Sequence, residues 1–166
     1  MALLAICAGT IAFSCLQILL FAYGRDQGIY AVVADTMLHG GMPYRDAWDF
    51  KPPGIFLIYA ATQLLLGRAE WAIRVVEVAG LLSMAFAFAI LAHRFFDDWR
   101  IGLLGSALGL LVHAQLEFWH TAQPESFGAI VIAWALVSAT ADATKVGDAR
   151  ARRLAAWAIA GALYGF

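Results

Sequence analysis

The run WAIRVVEVAGLLSMAFAFAILA, residues 71–92, decides the fold class. Its two charges, Arg74 and Glu77, fall near its start, and nothing ionisable interrupts it after Val78. An α-helix needs about 20 mainly apolar residues to cross the hydrocarbon of a bilayer. This run supplies them, so it reads as a membrane span. Arg74 and Glu77 stand at i and i+3 on one helical face, in the outer turns of that span. Ionisable residues within spans usually face the bundle interior and are functional candidates by default. The plainer account is that the two form an ion pair with each other.

The composition agrees with the span. The 166 residues are 63% hydrophobic and 14% charged, whereas soluble domains carry about 25% charged and about 45–50% apolar residues. The formal net charge is −1, with no basic stripe on which a nucleic-acid phosphate footprint could be built. Cys7 and Cys15, eight residues apart in one apolar run, cannot pair on a helix and have no CxxC companion. They read as packing residues. The opening MALLAICAGTIAFSCLQILLFAY has no basic n-region and is longer than a signal-peptide core, which favours a retained first span.

Outward from 71–92, further spans are expected over about 2–23, 101–119 and 126–141. The stretch 154–166 is too short to cross and reads as an incomplete fifth span. Residues 1–166 are thus expected to be the N-terminal part of a longer multi-span domain. The short loops HRFFDDWR (93–100) and KVGDARARR (145–153) carry basic residues, so the positive-inside bias makes them cytoplasmic. Lys145, Arg150, Arg152 and Arg153 serve this reading as topology determinants. The N-terminus is then cytoplasmic, and the outer loops are 24–70 and the short one around HTAQPES.

Two helices are expected in the long outer loop. GIYAVVADTMLHGG puts Ile29, Val32, Val33 and Met37 on one face and stops at Gly40–Gly41. GIFLIYAATQLLLG opens after Pro52–Pro53 and closes at Gly67, short for a span and suited to the membrane interface. The fold class is therefore all-α: a polytopic transmembrane helical bundle with interfacial helices in the first outer loop.

The polar residues of the outer loops are the candidates for chemistry. Asp26 follows the first span and is either a neighbour of Arg25 at a solvated helix end or a general base in a partly dry cleft. In YRDAWDFKPPG, the two prolines make an extended, stiff approach to the next helix. Lys51 on that stalk is a compact ammonium suited to a phosphate, either of bulk lipid or of one lipid-linked substrate. Asp46 and Asp49 either orient Lys51 and Arg45 or are plain loop carboxylates. Glu125 follows Pro124 at a helix start, where the dipole favours an anion. It is either that helix-end carboxylate or a second acid facing Asp26. His120 beside Glu125 leaves a divalent metal open, without any HxxxH-type spacing to support one.

Taken in order, the features are a span, GRDQGIY, an amphipathic helix, GGMPYRDAWDFKPPGIFLIY, a helix ending LLG, WAIRVVEVAGLL, a basic turn, a span and AQPESF. This series resembles the N-terminal part of the GT-C glycosyltransferases, in the bacterial branch similar to protein O-mannosyltransferases and lipid A aminoarabinose transferases. Asp26 matches the acid those families carry after the first span, with Gln27 in place of the commoner second acid. Lys51-Pro52-Pro53 matches their His/Lys-Pro-Pro segment, and Glu125 the acid of the next outer loop.

The resemblance implies an integral, multi-pass enzyme of the bacterial inner membrane. It would move a sugar, with inversion, from a polyprenyl-phosphate carrier to a lipid, glycan or protein acceptor on the outer face. Asp26 and Glu125 would be catalytic. Lys51, with Arg45 and Arg74, would hold the carrier phosphate, supported by Asp46, Asp49 and Gln27. Two other readings stand beside it: a lipid-linked-substrate transporter or flippase component, and a non-catalytic membrane subunit. The first usually shows broken spans and midplane charges, whereas here the charges lie near span ends.

Overall fold

The computed structural model describes residues 1–140; the expected fifth span, the basic stretch 145–153 and Ala141 lie outside the described residues. The chain runs through α1 (Ala2–Leu19), α2 (Arg25–Leu38), α3 (Pro53–Leu66), α4 (Glu70–Phe96), α5 (Trp99–Gln115), the short α6 (Glu117–His120) and α7 (Pro124–Thr140). Among the described residues there is no strand, only an isolated bridge between Pro43 and Ala47. The all-helical class expected from the sequence is the one observed. Two helices, α1 and α4, are long and apolar enough to cross a membrane, and α3 and α7 are apolar but shorter.

The long helices pack through small residues and aliphatic side chains. Cys15 and Ile18 of α1 meet Val78 and Leu81 of α4 and Leu110 and Ala114 of α5. At the other end of α4, a Cβ on Gly102 would stand 2.3 Å from the carbonyl oxygen of Phe88, so only glycine lets α5 come so near α4. The α4–α5 turn is tight because Asp97 takes a left-handed conformation (φ 55) and the Asp98 side chain accepts the Arg100 N–H at 2.9 Å. Across from it, Arg94 donates to the Val137 carbonyl and, at 2.8 Å, to Thr140 Oγ1, tying α4 to α7.

Helices α2 and α3 form a pair of their own, built on Tyr30, Val33, Ile55, Phe56 and Tyr59, with Ile73 of α4 in the same cluster. Tyr30 and Tyr59 meet edge to face, their centroids 5.6 Å apart.

Three boundaries differ from the expected ones. Helix α1 ends at Leu19, not near Tyr23, which leaves the carbonyls of Phe21 and Ala22 without intrahelical partners. Helix α2 begins at Arg25, so Asp26 sits inside its first turn. Its buried face is Gln27, Tyr30, Val33 and Ala34, while Val32 is 63% exposed. The apolar pattern misplaces that face because Gln27 and Tyr30 are polar and yet buried. The expected 101–119 span is split: α5 stops at Gln115, and Glu117 (φ 60) turns the chain into α6.

A polar lock under a mixed-charge cavity

The segment between α6 and α7 is irregular backbone in the protein interior, with Thr121 and Ala122 fully buried and Gln123 nearly so. Ala122 holds a positive φ of 53, a conformation a residue with a Cβ rarely adopts. Buried backbone polar groups need partners; of five side chains from three helices that bond to this segment, three pair with its backbone and two with its side chains. Gln27 of α2 donates to the carbonyls of Phe118 and Thr121, the latter at 2.6 Å. Tyr30 donates to Gln123 Oε1 at 2.7 Å, and Tyr59 of α3 to the Ala122 carbonyl at 3.1 Å. Arg74 of α4 donates to Thr121 Oγ1 at 2.7 Å, and Glu77 accepts the Ala122 N–H.

Arg74 does more than reach Thr121. It also donates to the Ala22 carbonyl at 2.8 Å and the Phe21 carbonyl at 3.3 Å, the two groups freed where α1 unwinds. Both Arg74 and Glu77 are completely buried, with Nη1 3.5 Å from Glu77 Oε2. The ion pair expected from their spacing is present, inside a larger network. Arg74, which the resemblance would give to a carrier phosphate, thus directs its nitrogens to the protein's own oxygens and is not among the residues lining the cavity above the lock. Gln27 likewise belongs to the lock, since its amide braces the segment between α6 and α7.

Above the lock lies a cavity of about 560 Å³. Asp26, Lys51, His113, His120, Gln123 and Glu125 line it, over apolar walls that include Leu81, Met84 and Leu110. The structure thus brings together three residues expected from the sequence: Asp26, Lys51 and Glu125. Asp26 lies in the first turn of α2, where the helix dipole favours its carboxylate, with Arg25 Nε 3.4 Å away. Glu125 lies in the first turn of α7 and pairs with Lys51, Nζ to Oε1 at 3.3 Å. His120 and Glu125 share the cavity, but among the described residues no group of three or more His, Cys, Asp or Glu converges as metal ligands.

A second, apolar groove of about 750 Å³ runs between α3 and α7. Ile55, Leu57, Ile58, Phe127, Val131 and Ile132 are among its walls, and among the described residues Lys51 and Glu125 are the only ionisable ones there. The same ion pair therefore borders both spaces.

The linker before α3 is fastened by its own bonds. Tyr44, at a positive φ of 67, donates its hydroxyl to the Lys51 carbonyl at 2.7 Å and its N–H to the Ala47 carbonyl at 2.8 Å. Asp49 accepts the Phe50 N–H at 2.8 Å. Arg45 is exposed and pairs with Asp46 at 2.6 Å, so it is held by its neighbour and does not line the cavity. Of the two expected orienting carboxylates, Asp46 orients Arg45, and neither holds Lys51; Glu125 does.

Asp46 also accepts the Met42 N–H at 2.8 Å. The hydrogen bond from Arg45 and that from Met42 hold its carboxyl at about 2, below the ordinary 3.8. Because the folded value is depressed, this fastening contributes fully above about pH 4 and is lost as pH falls through about 2. In an NMR titration of the protein in nanodiscs, the Met42 amide is expected to shift with a midpoint near 2. A midpoint near 4 would remove Asp46 as the loop's fastener. Burial raises the Tyr30 phenol, helped by the charges of Asp26, Asp49 and Glu125, so its hydroxyl stays a donor to Gln123.

The sequence reasoning passed over His113. It lines the cavity, and its Nε2 lies 3.1 Å from Glu77 Oε1. The available signal was an ionisable residue inside an apolar helical run. Comparison of the chain with protein-family models, curated proteins and solved structures gave no match.

Proposed function

We propose that this chain forms part of a polytopic membrane glycosyltransferase, one that moves a sugar from a polyprenyl-phosphate carrier to an acceptor on the outer membrane face. The observation that carries the reading is the cavity in which Asp26, Lys51 and Glu125 meet beside an apolar groove. A general base, a phosphate-sized cation and a slot for a hydrocarbon chain are what such a donor requires. The GT-C resemblance names the same three residues. On this reading α1, α4, α5 and α7 are spans of a bacterial inner-membrane protein with a cytoplasmic N-terminus, and α2 and α3 lie at the outer interface.

In the proposed reaction an acceptor hydroxyl gives its proton to Asp26 as its oxygen attacks the anomeric carbon. The bond from that carbon to the phosphate oxygen breaks, and its electron pair leaves with the polyprenyl phosphate. Lys51 neutralises the charge gathering there, and the attack from the opposite face inverts the anomeric centre. Glu125 keeps Lys51 in place until the phosphate competes for it.

The test is label transfer from a polyprenyl-phosphate sugar to membrane acceptors, with the chain in its host membrane. Lys51→Gln is expected to raise the KM for the donor at least tenfold, because a hydrogen bond to a charged group contributes about 1.5–3 kcal/mol. Label movement across the bilayer without transfer would favour the transporter reading instead.

A further inference from the structure

The geometry points to His113 as the residue that reads the sugar hydroxyls of the ligand, held in one tautomer by Glu77; this rests on the proposed function of the cavity. Glu77 Oε1 already accepts the Ala122 N–H, and Oε2 faces the Arg74 guanidinium. A carboxylate so placed is an acceptor towards every neighbour. The hydrogen between it and His113, 3.1 Å apart, is therefore carried by Nε2 of the imidazole. Among the described residues none partners Nδ1, and the imidazole is a wall of the cavity that also holds Lys51.

With Nε2 donating, the neutral imidazole presents a lone pair at Nδ1. The nitrogen is thus an acceptor for a hydroxyl, as in other sites where a carboxylate fixes the imidazole tautomer. The monoester dianion of an unloaded polyprenyl phosphate has no such hydrogen to offer, whereas a sugar attached to that phosphate does. Lys51 then takes the phosphate common to loaded and unloaded carrier, and His113 tells the two apart. A site built to hydrogen-bond a substrate hydroxyl discriminates strongly against the analogue that lacks it. Glu77 is a positioning residue, acting through the imidazole. The charged and titratable groups around His113 are Glu77 and Arg74 of α4, Asp26 of α2, Lys51, His120 of α6 and Glu125 of α7.

The experiment uses the full chain in nanodiscs and two probes, farnesyl phosphate and its mannosyl ester. Wild type is expected to bind the mannosyl ester at least tenfold tighter. His113→Phe should reduce that preference to within about twofold while leaving farnesyl phosphate binding unchanged, and Lys51→Gln should weaken both. Independently of any variant, ¹⁵N-histidine spectra should show an Nε2–H, bare-Nδ1 tautomer whose Nδ1 signal moves with the mannosyl ester and not with farnesyl phosphate. Glu77→Gln should broaden that tautomer into a mixture. An Nδ1–H tautomer, equal binding of the two probes, or an undiminished preference in His113→Phe overturns the inference while Lys51-dependent farnesyl phosphate binding upholds the parent reading. Failure of wild type to bind either probe overturns both.

Discussion

Asp26→Asn is expected to lower sugar transfer by about 10²–10⁴-fold, the range that a positioned general base contributes. The loss should fall on kcat, with the KM for the donor little changed, since Lys51 and not Asp26 is the proposed phosphate ligand. The substitution suits the test because Asp26 has no partner inside the polar lock. Among the described residues its only ion-pair partner is Arg25, which is largely exposed. Asparagine keeps the shape, so the thermal midpoint should move by no more than about 1 kcal/mol allows. Transfer within twofold of wild type would end the assignment of Asp26 as base. A fall in kcat matched by a fall in stability would instead mark a structural role.

Arg74→Met is expected to have the largest effect on folding. It removes a buried cation from a buried anion and leaves the carbonyls of Phe21 and Ala22 and the Thr121 hydroxyl without their donor. Breaking a buried pair in this way costs about 3–5 kcal/mol, because the remaining charge is uncompensated. For a chain of this size that corresponds to a fall in midpoint on the order of 10 °C. The protein carries its own reporter: Cys7 and Cys15 are its only cysteines, and both are buried free thiols in α1. A thiol-reactive dye should therefore label the variant at markedly lower temperature. The double variant Arg74→Met/Glu77→Met should regain part of the loss and not all of it, since the Ala122 N–H stays unpaired. An Arg74→Met protein as stable as wild type would show that the network contributes nothing to holding the end of α1.

Much of the fold was legible before the structure. The long apolar runs, the Pro52–Pro53 helix start and the Gly67 stop each act within a few residues, so they can be read one segment at a time. Two of the boundaries that went astray share a cause. Helix α1 stops early and the chain after α5 leaves the helix where side chains far along the chain satisfy the open backbone, Arg74 at Phe21 and Ala22 and Gln27 at Phe118 and Thr121. Val32 lies off the buried face of α2 and Gln27 on it, where the carbonyls of Phe118 and Thr121 receive its amide.

The candidate site divides along the same line. Asp26, Lys51 and Glu125 were nameable as residue types at helix starts, and Arg74 with Glu77 as a helical pair at i and i+3. By itself the sequence determined the helical class, the apolar runs and the polar residues that interrupt them, since composition and helical period are local properties. Only the tertiary structure decided which of those polar residues share a space. It put Lys51 on Glu125, 74 positions away, and withdrew Arg74 and Gln27 into the interior. It gave Arg45 to Asp46 and set His113 on the cavity wall against Glu77. A charge's partner is fixed by which helices pack together and by the cost of leaving a buried polar group unpaired.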